Sequence, residues 1–331
     1  MSTKAISGRP VTPGPDLLNH FLYQMVLIRR FEERCGEMYT KGKIRGFLHL
    51  YIGQEACAVG SINALEPRDR LIAHYREHGH AIVRGIDPDR IMAELFGRVD
   101  GTSHGRGGSM HIFDTEKHFY GGHAIVGGHQ PVAVGLGLAD RKMGNDNVTM
   151  CIFGDGGVAE GEFHEALNLS SLWKTPVLWF CENNGYGMGL PLEKSIANDI
   201  YKLAEGYRMP AVRVDGMDVL AVYEETQKAV AHIRAGNGPY FIEAMTYRYR
   251  GHSMADAELY REKDEVAAFR ERDAIERLKR RMMEDGHLDE AGFEALTQRV
   301  EEEVAQSIAF ADASPQPEIQ TLFDHVYHEQ E

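Results

Sequence analysis

The chain has 331 residues, a formal net charge of −14 and 43% hydrophobic side chains. That is enough apolar material for one large α/β domain or two small ones, and the acidic balance excludes a nucleic-acid footprint. No apolar run approaches the ~18 residues of a membrane-spanning helix, so no membrane partner is expected either.

The N-terminal stretch MSTKAISGRPVTPGP has neither an apolar signal core nor an Arg-rich amphipathic pattern. Residues 1–16 read as a flexible lead, with Asp16 placed to cap a helix from Leu17 onward. Leu18, Phe21, Leu22, Met25 and Ile28 give that helix its apolar face, and the Arg29-Arg30 pair reads as its solvated or interface side. Cys35, Cys57, Cys151 and Cys181 are scattered with no Cys-x-x-Cys. That spacing fits buried thiols in a reducing, cytoplasmic setting rather than disulfides or zinc.

Phe47-Leu48-His49-Leu50-Tyr51-Ile52-Gly53-Gln54-Glu55-Ala56 reads as a strand or loop entering a helix, and from the residues alone His49 reads as structural rather than reactive. His74-Tyr75-Arg76-Glu77-His78-Gly79-His80 places three histidines around an arginine that would repel a metal cation. Arg76 beside Tyr75 suits a phosphate instead, a fork of donors plus a hydroxyl, and leaves His74, His78 and His80 as structural or surface residues. Gly101 to Met110 is glycine-rich but lacks the Walker A pattern, and reads as a mobile loop at the mouth of a site. Gly121 to Gly128 is a second glycine-rich turn, and Val132 to Ala139 a small-residue helix suited to close packing.

The most informative stretch runs from Val148 to Gly187. A buried-type strand, Val148 to Phe153, ends in Gly154-Asp155-Gly156-Gly157; a helix follows from about Gly161 to Trp173; a second strand, Val177 to Cys181, ends in Glu182-Asn183-Asn184-Gly185. A right-handed βαβ crossover with neighbouring strands brings Asp155 and Asn184 side by side at the carboxyl edge of a parallel sheet, where such sheets bind ligands. One carboxylate, one amide oxygen and glycines that admit main-chain amides suit magnesium with a diphosphate. The same residues satisfy Gly-x-Gly-x-x-Ala through Gly154, Gly156 and Ala159, with Glu182 where a ribose-binding acid would stand, so a dinucleotide site is the rival reading. Against it, an unneutralised Asp155 beside a pyrophosphate costs about 4 kcal/mol at ~4 Å near a surface. The plainest reading, a bare Asp-Gly turn, has nothing to say about the Asn-Asn that ends the next strand.

A Gly-Asp-Gly followed about thirty residues later by Asn-Asn is similar to the thiamine diphosphate motif. From about Leu17 to Tyr327 the chain resembles the alpha subunit of the decarboxylase component of 2-oxo acid dehydrogenase complexes, of the pyruvate dehydrogenase type. That resemblance implies thiamine diphosphate and Mg2+ as cofactors, with Asp155, Asn184 and Tyr186 on the metal and Gly156 and Gly157 at the diphosphate. It implies that Phe47 and His49 border the cofactor, that Tyr75 and Arg76 hold the diphosphate, and that Ala124 and Val126 offer main-chain bonds to the aminopyrimidine. Ala124 stands where many relatives carry glycine. It also implies catalytic or cofactor roles for His49 and His252.

Further along, Val212 to Asp218 reads as a strand and turn, Val219 to Ala235 as a helix and Tyr240 to Met245 as a buried strand. The alternation gives an α/β fold with a doubly wound, mostly parallel sheet flanked by helices. The resemblance implies that this is the thiamine diphosphate-binding fold. Tyr247 to Arg261 follows a strand's carboxyl end as a polar, basic segment with few apolar anchors, and is expected to be mobile until an anion binds. Ser253 matches a regulatory phosphorylation site of mitochondrial relatives, but Ala255 and Ala257 replace the usual serine and proline, which argues against that regulation here. Residues 17–262 are thus assigned to the cofactor-binding domain and 263–331 to a helical C-terminal extension. In that extension Phe293, Leu296, Val300, Val304 and Ile308 form a stripe expected at a subunit interface, and Ile319 to Tyr327 a short docking helix.

No stretch resembles the pyrimidine-binding domain that supplies the activating glutamate. The resemblance assigns that domain to a beta subunit, so the chain is expected to work as two alpha and two beta chains. In that assembly it would decarboxylate a small 2-oxo acid, foremost pyruvate, and pass the acyl group to a lipoyl acyltransferase. Acetoin and branched-chain dehydrogenases are the neighbouring alternatives.

Overall fold

The computed structural model describes residues 13–324 and 326. Helix α1 (Pro15–Thr40) is followed by a loop and α2 (Glu55–Ile62), then β1 (Arg70–His74), α3 (His78–Val83) and α4 (Pro88–Leu95). Next come β2 (Phe119–His123), α5 (His129–Met143), β3 (Thr149–Gly154), α6 (Gly161–Trp173) and β4 (Val177–Asn183). A small hairpin of β5 (Tyr186–Gly187) and β6 (Leu190–Pro191) leads to α7 (Ile200–Gly206), β7 (Ala211–Asp215), α8 (Val219–Arg234) and β8 (Tyr240–Met245). Three helices close the chain, α9 (Lys263–Arg270), α10 (Ala274–Glu284) and α11 (Glu290–Ala313), before a single 3-10 turn at Ile319–Phe323.

Six strands form one sheet in the order β2-β1-β3-β4-β8-β7, every pair parallel. The doubly wound α/β fold expected from the alternation is the one observed. β3 and β4 are near-continuous apolar runs because both faces are covered. One face packs on α1, α2 and α8 and the other on α5, α6 and α7, giving two hydrophobic clusters. The winding reverses between β1 and β3. Ligands of such sheets settle outside the strands' carboxyl ends at that switch point.

Some expectations shift. Asp16 is not the cap of the first helix: Pro15 opens α1, with Gly14 at the cap position and Asp16 in the first turn, where its charge meets the helix dipole. Arg29 is not solvated. Its guanidinium is clamped between Glu55 (2.6 Å) and Asp273 (2.9 Å), which ties α1 to α2 and α10. The α11 stripe is used within the chain: Val300 and Val304 are fully buried in the cluster that contains α1 and α4. Beyond it, Ile319, Leu322 and Phe323 are exposed, and the expected docking helix, which runs to Tyr327, passes partly outside the described residues. The four cysteines are all free and buried.

Gly53 shows how the loop before α2 joins this frame. Its φ is +101°, and a Cβ there would stand 2.3 Å from the main-chain oxygen of Tyr247, so only glycine lets the two segments meet.

Candidate active site

The strand ends of β1, β3 and β4 surround a cavity of about 300 Å³. Tyr75, Arg76, Val126, Asp155, Gly156, Gly157, Asn184, Tyr186 and His252, nine of the sequence-derived candidates, line it together. His49 stands behind them, buried, with its ring 4.7 Å from that of Tyr75 and 5.1 Å from that of His252. Ala124 is half-buried and off the lining, although Val126 and Gly127 of the same turn are on it. Phe47 is 65% exposed and contributes nothing to the wall.

Pairing of β3 with β4 sets Gly154 opposite Glu182, so Asp155 and Asn184 leave their strands next to one another. Asp155 is 1% exposed; its Oδ1 accepts the Asn184 main-chain N–H at 3.4 Å, and its Oδ2 has no partner. Burial pushes this carboxyl up to about 6. The Asn184 side chain gives its Nδ2 to Gln54 Oε1 at 3.1 Å, which leaves Oδ1 as the acceptor beside Asp155, where it also takes the Tyr186 N–H. Gly156 lies against the β5–β6 hairpin so closely that a Cβ would come within 3.1 Å of Gly187 Cα.

Positive charge faces these groups. Arg76 donates to the main-chain oxygens of Leu50 and His252, each at 2.8 Å; Arg248 donates to those of Arg250 (3.0 Å) and Met188 (3.1 Å) and to the Tyr260 hydroxyl (3.0 Å). Both guanidiniums are buried, and neither meets a described carboxylate within ion-pair distance. Burial and then the charge of Arg248 bring Arg76 down to about 10. Two buried cations held by carbonyls and a hydroxyl, with no described carboxylate in ion-pair range, call for a multiply charged anion, since removing a charge from water without a counter-charge is expensive. His49 and His252 are both held well below the usual imidazole range, first by burial and next by Arg76, so both are neutral near pH 7.

The rival ribose-binding role for Glu182 is closed off. Both its oxygens are turned to His74, His80 and the Tyr51 hydroxyl, and it is 1% exposed. The histidines are therefore internal, correcting their alternative placement at the surface: His78 and His80 are fully buried and His74 nearly so. The Gly101–Met110 loop also differs from expectation. Its amides at Ser103, Gly105, Gly107 and Gly108 all donate to the Glu94 carboxylate, so they are spent inside the fold.

Tyr247 to Arg261 is better anchored than its composition suggests. Tyr247 stacks on Phe269 with centroids 3.9 Å apart, Tyr249 is buried, and Arg261 lies over the Tyr247 ring. Sequence reasoning passed over His129 and Glu160 in the cavity, whereas Arg248 belongs to the basic segment expected to meet an anion. Arg248 had a signal, its place just past a strand's carboxyl end; His129 had none, being one histidine among many.

Known proteins resemble the chain over most of its length. Residues 23–320 match the family described as the dehydrogenase E1 component. Proteins named "Pyruvate dehydrogenase E1 component subunit alpha" are similar over most of the chain. That of Rhizobium meliloti is 46% identical, covering 92% of this chain and 88% of its own. That of Zymomonas mobilis is 44% identical, covering 97% and 91%, and that of Porphyra purpurea 41% identical, covering 92% of each.

Proposed function

The chain belongs to the dehydrogenase E1 component family, and we propose that it is the alpha subunit of a pyruvate dehydrogenase, active with a beta subunit and a lipoyl acyltransferase. Family membership implies thiamine diphosphate dependence. The observation that carries the reading is Asp155: a buried carboxylate with one unpartnered oxygen, beside an amide oxygen, in a cavity shared with two arginines that have no acid partner among the described residues.

These residues fit the group. Asp155, Asn184 and the Tyr186 main chain offer magnesium a few oxygens, leaving the rest of an octahedron to water and phosphate. Among the described residues no cluster of three His, Cys, Asp or Glu side chains forms a metal site; a carboxylate–amide–carbonyl set is of the kind magnesium uses and zinc does not. Tyr75, Arg76 and the amides of Gly156 and Gly157 hold the diphosphate. Val126, on the lining, would give main-chain bonds to the aminopyrimidine, with Ala124 of the same turn behind it. The exposed Phe47 is left without a role.

Bound there, thiamine diphosphate supplies the nucleophilic carbon and the electron sink for decarboxylation of a 2-oxo acid. The chain's own work is to bind, orient and donate. His252 Nδ1 lies 3.5 Å from Arg76 Nη2 and is the accepting nitrogen, so its proton sits on Nε2, a neutral donor for a substrate oxygen. His49, with Nδ1 unpartnered, is a second neutral imidazole, behind the lining and against the Tyr75 and His252 rings. The activating carboxylate comes from the beta chain, in keeping with the word "alpha" in the relatives' names. No helix among the described residues is long and apolar enough to cross a membrane, and we assign the complex to the cytoplasm.

Co-expression with the presumed beta chain tests this. Pyruvate-dependent reduction of an acceptor that exceeds that with acetoin and with branched 2-oxo acids is the expected result. Preference for one of those substrates corrects the substrate, and inactivity with all of them overturns the reading.

A further inference from the structure

At the wall of the cavity, with His74 and Glu182 on its lining, a polar assembly continues inward that the binding roles leave unused. Glu182, at the end of β4, faces His74 Nε2 at 3.0 Å through Oε2 and His80 Nε2 at 2.9 Å through Oε1, which also accepts the Tyr51 hydroxyl. Two imidazole nitrogens and a phenol hydroxyl thus converge on one buried carboxylate. Packing does not demand such a cluster, since buried ionic groups are often replaced by apolar ones of the same volume at no loss of stability.

His74 ends β1, and its other nitrogen settles its chemistry. Nδ1 lies 3.1 Å from the main-chain N–H of Arg76. That N–H can only donate, so Nδ1 accepts and the ring proton sits on Nε2, aimed at Glu182. Burial lowers His74 and keeps it neutral. A proton on Nδ1 would oppose the Arg76 N–H and open the turn that carries Tyr75 and Arg76 into the cavity.

We propose that His74, held in one tautomer by Glu182, is a positioning residue that caps the Arg76 N–H and so aims the Arg76 guanidinium at the diphosphate. This rests on the diphosphate reading above. The relay runs from β4 through His74 to Arg76, and on to the main-chain oxygen of His252 at 2.8 Å. It joins the Asn184 end of the site to the Tyr75 end and to the segment after β8.

The test uses the full chain and inorganic pyrophosphate with magnesium, followed by calorimetry, and NMR of 15N-labelled histidine. In His74→Asn the amide oxygen falls where Nδ1 was and still accepts the Arg76 N–H, so affinity stays close to wild type. His74→Gln reaches toward Glu182 but leaves that N–H uncapped, and affinity drops about tenfold, on the order of one charge-assisted contact. Glu182→Gln presents an amide donor to His74 and shifts its proton to Nδ1, visible in the 15N spectrum, with a similar loss of affinity. Thermal unfolding of each variant separates misfolding from mispositioning; if Glu182→Gln does not fold, the two His74 variants decide. Equal affinities in His74→Asn and His74→Gln, or a wild-type His74 protonated on Nδ1, overturn the positioning role. A wild-type chain that binds no pyrophosphate at all overturns the diphosphate reading itself.

Discussion

Asp155 and Asn184 sit at the ends of adjacent strands, and the Asn184 main-chain N–H points at one Asp155 oxygen from 3.4 Å while the other oxygen meets nothing. That half-satisfied state is costly without a cation. Asp155→Asn and Asn184→Ala should each abolish magnesium-dependent thiamine diphosphate binding by calorimetry while leaving circular dichroism unchanged. Neither the wild type nor a variant should bind NAD. Normal cofactor affinity in both variants would remove the metal assignment.

The isolated chain should not oxidise pyruvate even with saturating cofactor and magnesium, because among the described residues its cavity offers no carboxylate besides Asp155, Glu160 and Glu182, and Asp155 and Glu182 are committed to metal and to histidines. Ferricyanide reduction should appear only when the beta chain is added. Steady reduction by the pure chain would mean that one of these acids activates the cofactor after all.

Glu77 gives a pH dependence remote from the metal. It is fully buried beside β2, its Oε1 accepting the Ile112 N–H at 3.0 Å and its Oε2 unpartnered, and burial raises it from 4.5 to about 8. The folded state therefore holds a proton that the unfolded state releases. Its contribution is complete below about pH 4.5, declines as pH rises toward about 8 and is flat above. Glu77→Gln keeps the acceptor and removes the titration. It should be more stable than wild type by about 3 kcal/mol at pH 7, with no gain near pH 4. Urea unfolding at pH 4, 7 and 9 checks this, and a pH-independent difference would contradict it.

The segment after β8 is pinned by aromatic packing, and this changes where it should break. Arg248 is buried and Arg250 exposed, so trypsin should cut after Arg250 and spare Arg248. Phe269→Ala removes the ring on which Tyr247 stacks. It should cost about 1–2 kcal/mol and speed that cut, with bound cofactor slowing it again. If the variant is cut no faster than wild type, the stack is not what restrains the segment.

Much of this could be read before any coordinates. The strands around Asp155 and Asn184 are marked by unbroken apolar runs, and a chain that ends two such runs in polar residues brings those residues together by topology alone. What escaped were partners far off in sequence. Arg29 looked solvated because Asp273, 244 residues away, carries no local sign of meeting it. The Gly101–Met110 loop looked mobile because nothing in its glycines shows that a single acid on α4, Glu94, takes four of its amides. Tyr247 and Tyr249 looked like part of a polar loop because their burial depends on α9 folding back, which composition does not encode. His74 was set aside for the same reason: its value lies in Glu182, on another strand.

All four thiols are shut inside the folded chain. A pulse of alkylating reagent therefore marks only molecules that have opened, with no engineered probe. Cys151 and Cys181, on the two strands that end in Asp155 and Asn184, report exposure of the sheet's centre, while Cys35 and Cys57 report detachment of α1 and α2. The order in which these positions become labelled, read by mass spectrometry with and without cofactor, would show which part of the molecule gives way first.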